Sequence, residues 1–402
     1  MSYEDLVKGS EQRLARLSST GRTVVAYVYP HIPLELFLAH GITPSLLWAD
    51  PTLRGGFEGS IQTFACSLTR NLLSRRSIGG LSSITGILLP SNTCDSLLNV
   101  GDIWSHRFPK DKFFRLTYPA ARFDEDAVQF LAEELRILSE SLKNVFGRPF
   151  SIDDLQTAIA LVNRFRDSAQ TLYACRIIES NVIPYATLLH LVRDFLTLPD
   201  DETVDRISNY SLDALKKLEE KGTWTAARAL RGELLNGAFS EARIAADPKT
   251  PRIVVAGGMT EPLAVQSLFH AIGTTAEASL VTDFLTFGFK TVFTPPVKLD
   301  GEPFMAMSRS ILNAPSEPTQ EGLPNRLQFL KSLLTRLSIN GLVSCEQSFC
   351  DPDQFEAPSL VKVASKVGVP TLRLPIDPEL SDRGRLEGRI QSFLETFEGV
   401  AN

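Results

Sequence analysis

The sequence predicts an α/β protein: two parallel-sheet halves facing each other across a cleft, joined by a helical segment. Three observations predict it. Short β-branched or apolar runs alternate with helix-length amphipathic stretches up to about residue 150 and again after about residue 247. The stretch between them keeps helical periodicity without a convincing strand. A Pro-rich break, Asp247-Pro248-Lys249-Thr250-Pro251, precedes the second alternating region.

Taken in order, residues 1–20 read as an amphipathic helix, with Leu6, Leu14 and Leu17 recurring among charges. Thr23–Tyr29 is a strand. After Pro30-His31-Ile32-Pro33, a helix restarts over Leu34–His40 and stops at Gly41. Ile61–Arg76 is a helix, Ile84–Leu89 a buried strand closed by Pro90, and Asp124–Phe146 a long helix ended by Gly147. Residues 21–150 thus form the first α/β domain.

Residues 151–246 form the helical segment, with Leu155, Ile159, Val162 and Phe165 on one face. The second α/β domain, 247–402, opens with the strand Arg252–Ala256. A turn over Gly257-Gly258-Met259-Thr260 leads to a helix, Pro262–Ile272, closed by Gly273. Strands are expected over Ala278–Asp283, Gly341–Ser344 and Thr371–Pro375. Helices are expected over Leu327–Leu337, Pro358–Val367 with its proline in the first turn, and Leu386–Phe397. The architecture is that of two Rossmann/flavodoxin-like domains.

Composition narrows the function classes. The chain has 402 residues, 43% hydrophobic and 22% charged, with a net charge of -6. That is the range of a soluble globular protein. No basic block suited to nucleic acid appears, and Ser74-Arg75-Arg76 is too short to make one. No apolar run of membrane-spanning length and no signal core is present. Five cysteines without a secretory signal do not form a disulfide framework, so a reducing cytoplasm is expected.

The cysteines carry the chemistry. Cys94 follows a predicted buried strand in Leu89-Pro90-Ser91-Asn92-Thr93-Cys94-Asp95, and Cys350 follows another in Gln347-Ser348-Phe349-Cys350-Asp351-Pro352. Ligands of open α/β sheets bind beyond the carboxyl ends of the strands. Cys66 is near a predicted helix start, where the helix dipole favours thiolate. Three thiolates from separate loops suit zinc or an iron–sulfur cluster; a lone cysteine otherwise serves as a small buried hydrophobe. Cys175 reads as core, and Cys345 as either core or a lining residue. Asp95 and Asp351 either cap the helices that follow or tune a bound cluster. Glu35 reads as a surface charge at a helix start or a site carboxylate. The five histidines show no metal-ligand spacing, and neither a Walker pattern nor a G-x-S-x-G elbow occurs.

The chain resembles the 2-hydroxyacyl-CoA dehydratase / benzoyl-CoA reductase family over roughly Arg22 to Phe397. The resemblance rests on Val28-Tyr29-Pro30-His31-Ile32-Pro33-Leu34-Glu35 with Gly41 and Pro44, on Cys66 with Arg70, and on Cys94-Asp95. It is completed by Phe349-Cys350-Asp351-Pro352 and Gly384…Arg389-Ile390…Phe393. Gly301–Arg309 and the last cysteine block look closest to the smaller benzoyl-CoA reductase subunit. The resemblance implies a [4Fe-4S] cluster held by Cys66, Cys94 and Cys350, and a heterodimer with a related cluster-binding subunit. It implies a separate ATP-hydrolysing iron–sulfur activator, low-potential one-electron reduction of an acyl-CoA or aryl-CoA thioester, and Glu35 as the site carboxylate. A 2-hydroxyacyl-CoA dehydratase subunit and an electron-relay subunit are the alternatives. Leu38 stands where the family usually has histidine, which points to the relay.

Overall fold

The computed structural model describes residues 3–53, 55–120, 124–245, 250–320 and 322–398. After the helix α1 (Tyr3–Ser19), the first half runs β1 (Val24–Tyr27), α2 (Leu34–Ala39), β2 (Thr43–Leu46), α3 (Ser67–Ser77), β3 (Gly86–Pro90), α4 (Asp95–Arg107), β4 (Lys112–Leu116) and α5 (Glu125–Phe146). Its four strands are parallel, in the order β2-β1-β3-β4. Four helices follow without an intervening strand: α6 (Ile152–Ile178), α7 (Tyr185–Thr197), α8 (Asp201–Glu220) and α9 (Trp224–Asn236).

The second half repeats the plan. It runs β5 (Ile253–Ala256), α10 (Pro262–Ile272), α11 (Thr274–Ser279), β6 (Leu280–Phe284), a π-helical turn over Thr286–Lys290, α12 (Pro303–Leu312), α13 (Leu323–Arg336), β7 (Gly341–Gln347), α14 (Asp351–Lys366), β8 (Thr371–Ile376) and α15 (Arg383–Glu398). The order β6-β5-β7-β8, again all parallel, matches that of the first sheet. Both halves are therefore α/β units with parallel sheets, as expected. Among the described residues no helix is long and apolar enough to cross a membrane.

Burial follows the layering. Every residue of β1, β3, β5 and β7 is buried, as parallel strands covered on both faces must be. The edge strands β4 and β8 are partly exposed, and Arg373 of β8 reaches Glu346 on β7 at 2.5 Å. The other two edges, β2 and β6, are buried because α7 packs on β2 and α6 on β6. One guanidinium fastens the second contact: Arg176 of α6 donates to the Leu280 carbonyl at 2.7 Å. The helical segment thus bridges the two sheets.

Several elements differ from expectation for identifiable reasons. β2 contains Pro44, which removes a ladder donor, but it is an edge strand paired only with β1, where proline is tolerated. β4 and α4 also form where the sequence offered weak periodicity. α3 begins at Ser67 rather than Ile61, which puts Cys66 at its N-cap. α14 begins at Asp351, so Pro352 occupies the first turn and Pro358 lies inside the helix. The strand expected over Ala278–Asp283 begins at Leu280, after α11. The break at 247–251 lies mostly outside the described residues; Thr250 and Pro251 precede β5.

Candidate functional site

Cys66, Cys94 and Cys350 occupy the N-caps of α3, α4 and α14. Cys94 and Cys350 hold matching places: each follows the third strand of its sheet, β3 or β7, beyond the carboxyl end. Cys66 comes from the connection after β2. A cavity of about 420 Å³ at the seam of the halves is lined by all three, together with Asp95, Asp351, Asp353, Glu317 and Glu356. First-turn amides of each helix face these sulfurs: Leu68 and Thr69 at Cys66, Ser96 and Leu97 at Cys94, and Asp353 at Cys350. Such helix ends favour anions.

The thiols feel one another. Cys66 and Cys350 share a hydrogen bond that, with the nearby amides of Leu68 and Thr69, lowers the Cys66 pKa against its burial. The same bond, followed by burial, raises that of Cys350. The two thiols therefore titrate as a coupled pair, in which Cys66 gives up its proton more readily than Cys350. Burial pushes Cys94 up to about 12, and the charges of Cys66 and Glu317 add to the rise. A bound metal would overturn this order, since a coordinating thiol is deprotonated outright.

The donor set fits an iron–sulfur cluster. Three cysteine side chains from separate elements line one cavity, and its wall carries buried oxygens that make no hydrogen bond among the described residues: Thr93 Oγ1, Asp353 Oδ1 and Glu356 Oε2. No three His, Cys, Asp or Glu side chains among the described residues are grouped to hold a single metal ion. Cys345 is buried in β7, and Cys175 is buried in α6; neither lines the cavity. Asp95 and Asp351 are the first residues of α4 and α14 and do line it.

Glu35 is placed elsewhere. It is buried in α2, not at the surface, and forms an ion pair with Arg166 of α6 at 2.7 Å, with both side chains under 10% exposed. It does not line the cysteine cavity.

Residues the sequence did not single out complete the wall. Glu317, on the loop after α12, accepts from the Tyr29 hydroxyl (2.7 Å), the Thr286 hydroxyl (3.3 Å) and the Thr319 amide (3.2 Å). Behind the wall, Arg326 donates to Glu356 at 2.5 Å and to the carbonyls of Ser316 and Gly257, both at 2.9 Å. Asp353 accepts from the Gln347 amide at 3.0 Å, yet burial pushes its pKa up to about 7. Glu317 sits in Pro315-Ser316-Glu317-Pro318, which has no periodicity to mark it. Lys290, just behind it, did leave a signal: a lone charge in the apolar run from Phe284 to Phe293.

Comparison with known proteins places this geometry in a family. The chain is 24% identical over 391 residues to lactoyl-CoA dehydratase subunit beta of Anaerotignum propionicum, covering 94% of this chain and 92% of that one. It is 20% identical to the (R)-phenyllactyl-CoA dehydratase beta subunit of Clostridium sporogenes, covering 98% and 97%. Identity is also 20% to (R)-2-hydroxyglutaryl-CoA dehydratase, subunit beta, of Acidaminococcus fermentans, covering 98% of both. The family model "2-hydroxyglutaryl-CoA dehydratase, D-component" matches residues 30–397, nearly the whole chain, and includes all three N-cap cysteines. The protein therefore belongs to the 2-hydroxyglutaryl-CoA dehydratase D-component family.

Proposed function

We propose that the chain is the beta-type, [4Fe-4S]-binding subunit of a 2-hydroxyacyl-CoA dehydratase, working with a related second subunit and a separate ATP-hydrolysing activator. The relatives carry dehydratase names, which favours this alternative over the benzoyl-CoA reductase reading. The observation that carries the proposal is the meeting of Cys66, Cys94 and Cys350 on three helix N-termini around one cavity.

When bound, the cluster supplies a low-potential one-electron centre, and iron–sulfur potentials extend to about -700 mV. The chain's own residues do the rest. The three thiols hold the cluster, and the first turns of α3, α4 and α14 favour negative charge there. Glu317, Asp353 and Glu356 form the polar wall. Exposed aromatic side chains, Phe64, Phe349 and Phe355, flank the cysteines or line the cavity, which suits a face covered by the second subunit.

Within the enzyme, we assign this chain the relay role. Glu35, the candidate site carboxylate, is locked to Arg166 and is not among the cavity's lining residues.

The test is anaerobic co-expression with the second subunit, followed by iron and acid-labile sulfide analysis and assay against 2-hydroxyacyl-CoA thioesters. About four irons bound by this chain, as one cubane requires, and water elimination dependent on activator and ATP are expected. A colourless, iron-free chain after reconstitution rules the reading out.

A further inference from the structure

One buried cation lies directly behind the wall of the cysteine cavity. Lys290 ends the π-helical turn after β6, a kind of irregularity frequent at functional sites. The turn is held by Asp283, whose carboxylate accepts from the amides of Leu285 (3.1 Å) and Phe289 (2.7 Å). Gly288 is required there, because a Cβ would collide with that carboxylate. The Lys290 side chain is 2% exposed. Its Nζ donates to Gln320 Oε1 at 2.7 Å and lies 3.9 Å from Glu317 Oε1. Both partners line the cavity, so a single layer of side chains separates the amine from the space the three thiols share.

The surroundings leave this amine free to gain or lose a proton. Burial pulls its pKa down to about 7, with Glu317 opposing and Arg326 of α13 adding to the fall. From the segment after β1, His31 and Tyr29 face the same pocket. Burial lowers the His31 pKa and raises that of Tyr29, so neither supplies a charge near neutrality. The charges of Lys290 and Arg166 both add to the lowering at His31. Glu317 has hydrogen-bond donors of its own in Tyr29, Thr286 and Thr319, so its placement does not require an ammonium partner.

We propose that Lys290 is a proton-holding site linked to the redox state of the thiol-bound centre. The inference rests on the cluster reading above. A centre held by Cys66, Cys94 and Cys350 would take up one electron from a low-potential iron–sulfur donor. One N–H bond then forms on Lys290 Nζ, with the proton drawn from water; both transfers reverse when the electron leaves. Negative charge added in a low-dielectric seam favours the protonated form of a nearby amine. Glu317 and Gln320 orient that amine toward the cavity. Lys290 is thus a positioning and charge-balancing residue, touching neither substrate nor cysteine.

The test uses the intact two-subunit enzyme. Iron and sulfide analysis comes first: absence of iron overturns both this proposal and the cluster reading. With iron bound, the midpoint potential is measured by redox titration with EPR detection across about pH 6 to 9. A tenfold change in proton concentration corresponds to about 59 mV for a one-electron couple. The wild-type potential should fall by that amount per pH unit over part of the range. Lys290→Met should flatten the slope. Lys290→Arg, which stays charged at every pH used, should flatten it too while keeping the positive charge. If Lys290→Met does not fold, Lys290→Met/Glu317→Gln removes both charges and serves in its place. A flat wild-type profile, or a slope that survives in the variants, overturns the proposal while leaving the cluster reading intact.

Discussion

Ser67 donates its backbone amide to the carbonyl of Ser348 at 2.9 Å, and its hydroxyl reaches Gln347 at the same distance. These bonds join the first turn of α3 to the end of β7, one residue beyond Cys66 and two or three before Cys350. The two halves are therefore tied in register beside Cys66 and Cys350. Pre-alignment of this kind places ligands without further rearrangement of the chain.

Serine substitutions should separate ligands from bystanders. Cys66→Ser, Cys94→Ser and Cys350→Ser should each cut iron content by more than half after anaerobic reconstitution, because a hydroxyl is a poor replacement for thiolate. Cys175→Ala and Cys345→Ala should keep full iron and lose only about 1 kcal/mol of stability each through small cavities. Iron analysis alongside denaturant unfolding checks both sets.

Glu35→Gln should act on stability before chemistry. Removing one partner of a buried ion pair costs about 3–5 kcal/mol, and Arg166 would be left buried without its carboxylate. Iron content should be unchanged. The double variant Glu35→Gln/Arg166→Met should recover much of the loss, read as a shift in denaturant midpoint without a change in slope.

Acid should loosen the first half. His40 is buried, with Nδ1 on the Arg148 carbonyl and Nε2 on the Ser139 hydroxyl, both at 2.9 Å. Burial holds its pKa below the usual 6.5, so the unfolded chain binds a proton that the folded chain refuses. Stability should be complete above about pH 6.5 and fall as the pH drops below it. His40→Gln should flatten that part of the profile, measured by thermal or urea unfolding between pH 7 and 5.

The turn after β5 should resist enlargement. Gly257 has φ +156, and a Cβ there would strike the Cys345 carbonyl; at Gly258 it would strike the Asp353 carboxylate. Gly257→Ala and Gly258→Ala should each cost on the order of 2 kcal/mol. Gly258→Ala should also push Asp353 off the Gln347 amide and lower iron retention.

Much of this was readable from the chain. Val24–Tyr27 and Ile253–Ala256 announce themselves as strands because both faces are covered and their residues are continuously apolar. Cys94 and Cys350 could be placed because the strands before them end cleanly. β2 was hidden by Pro44, whose tolerance depends on its being at an edge, a fact of topology and not of local pattern. Pro358 misled because proline usually marks a helix start, whereas Pro352 already fills that role. Glu317 was invisible for a different reason. Its importance comes from Tyr29, 288 residues away, and from Thr286, neither of which is near it in sequence.

The placement of Cys66, Cys94 and Cys350 at three helix N-caps has a mechanical side. An inorganic core seated among them would finish three helix ends at once, two in one half of the protein and one in the other. The same few atoms would then act as a clasp as well as a conductor, so that losing iron to oxygen would loosen the seam between the halves and not merely silence the electron path.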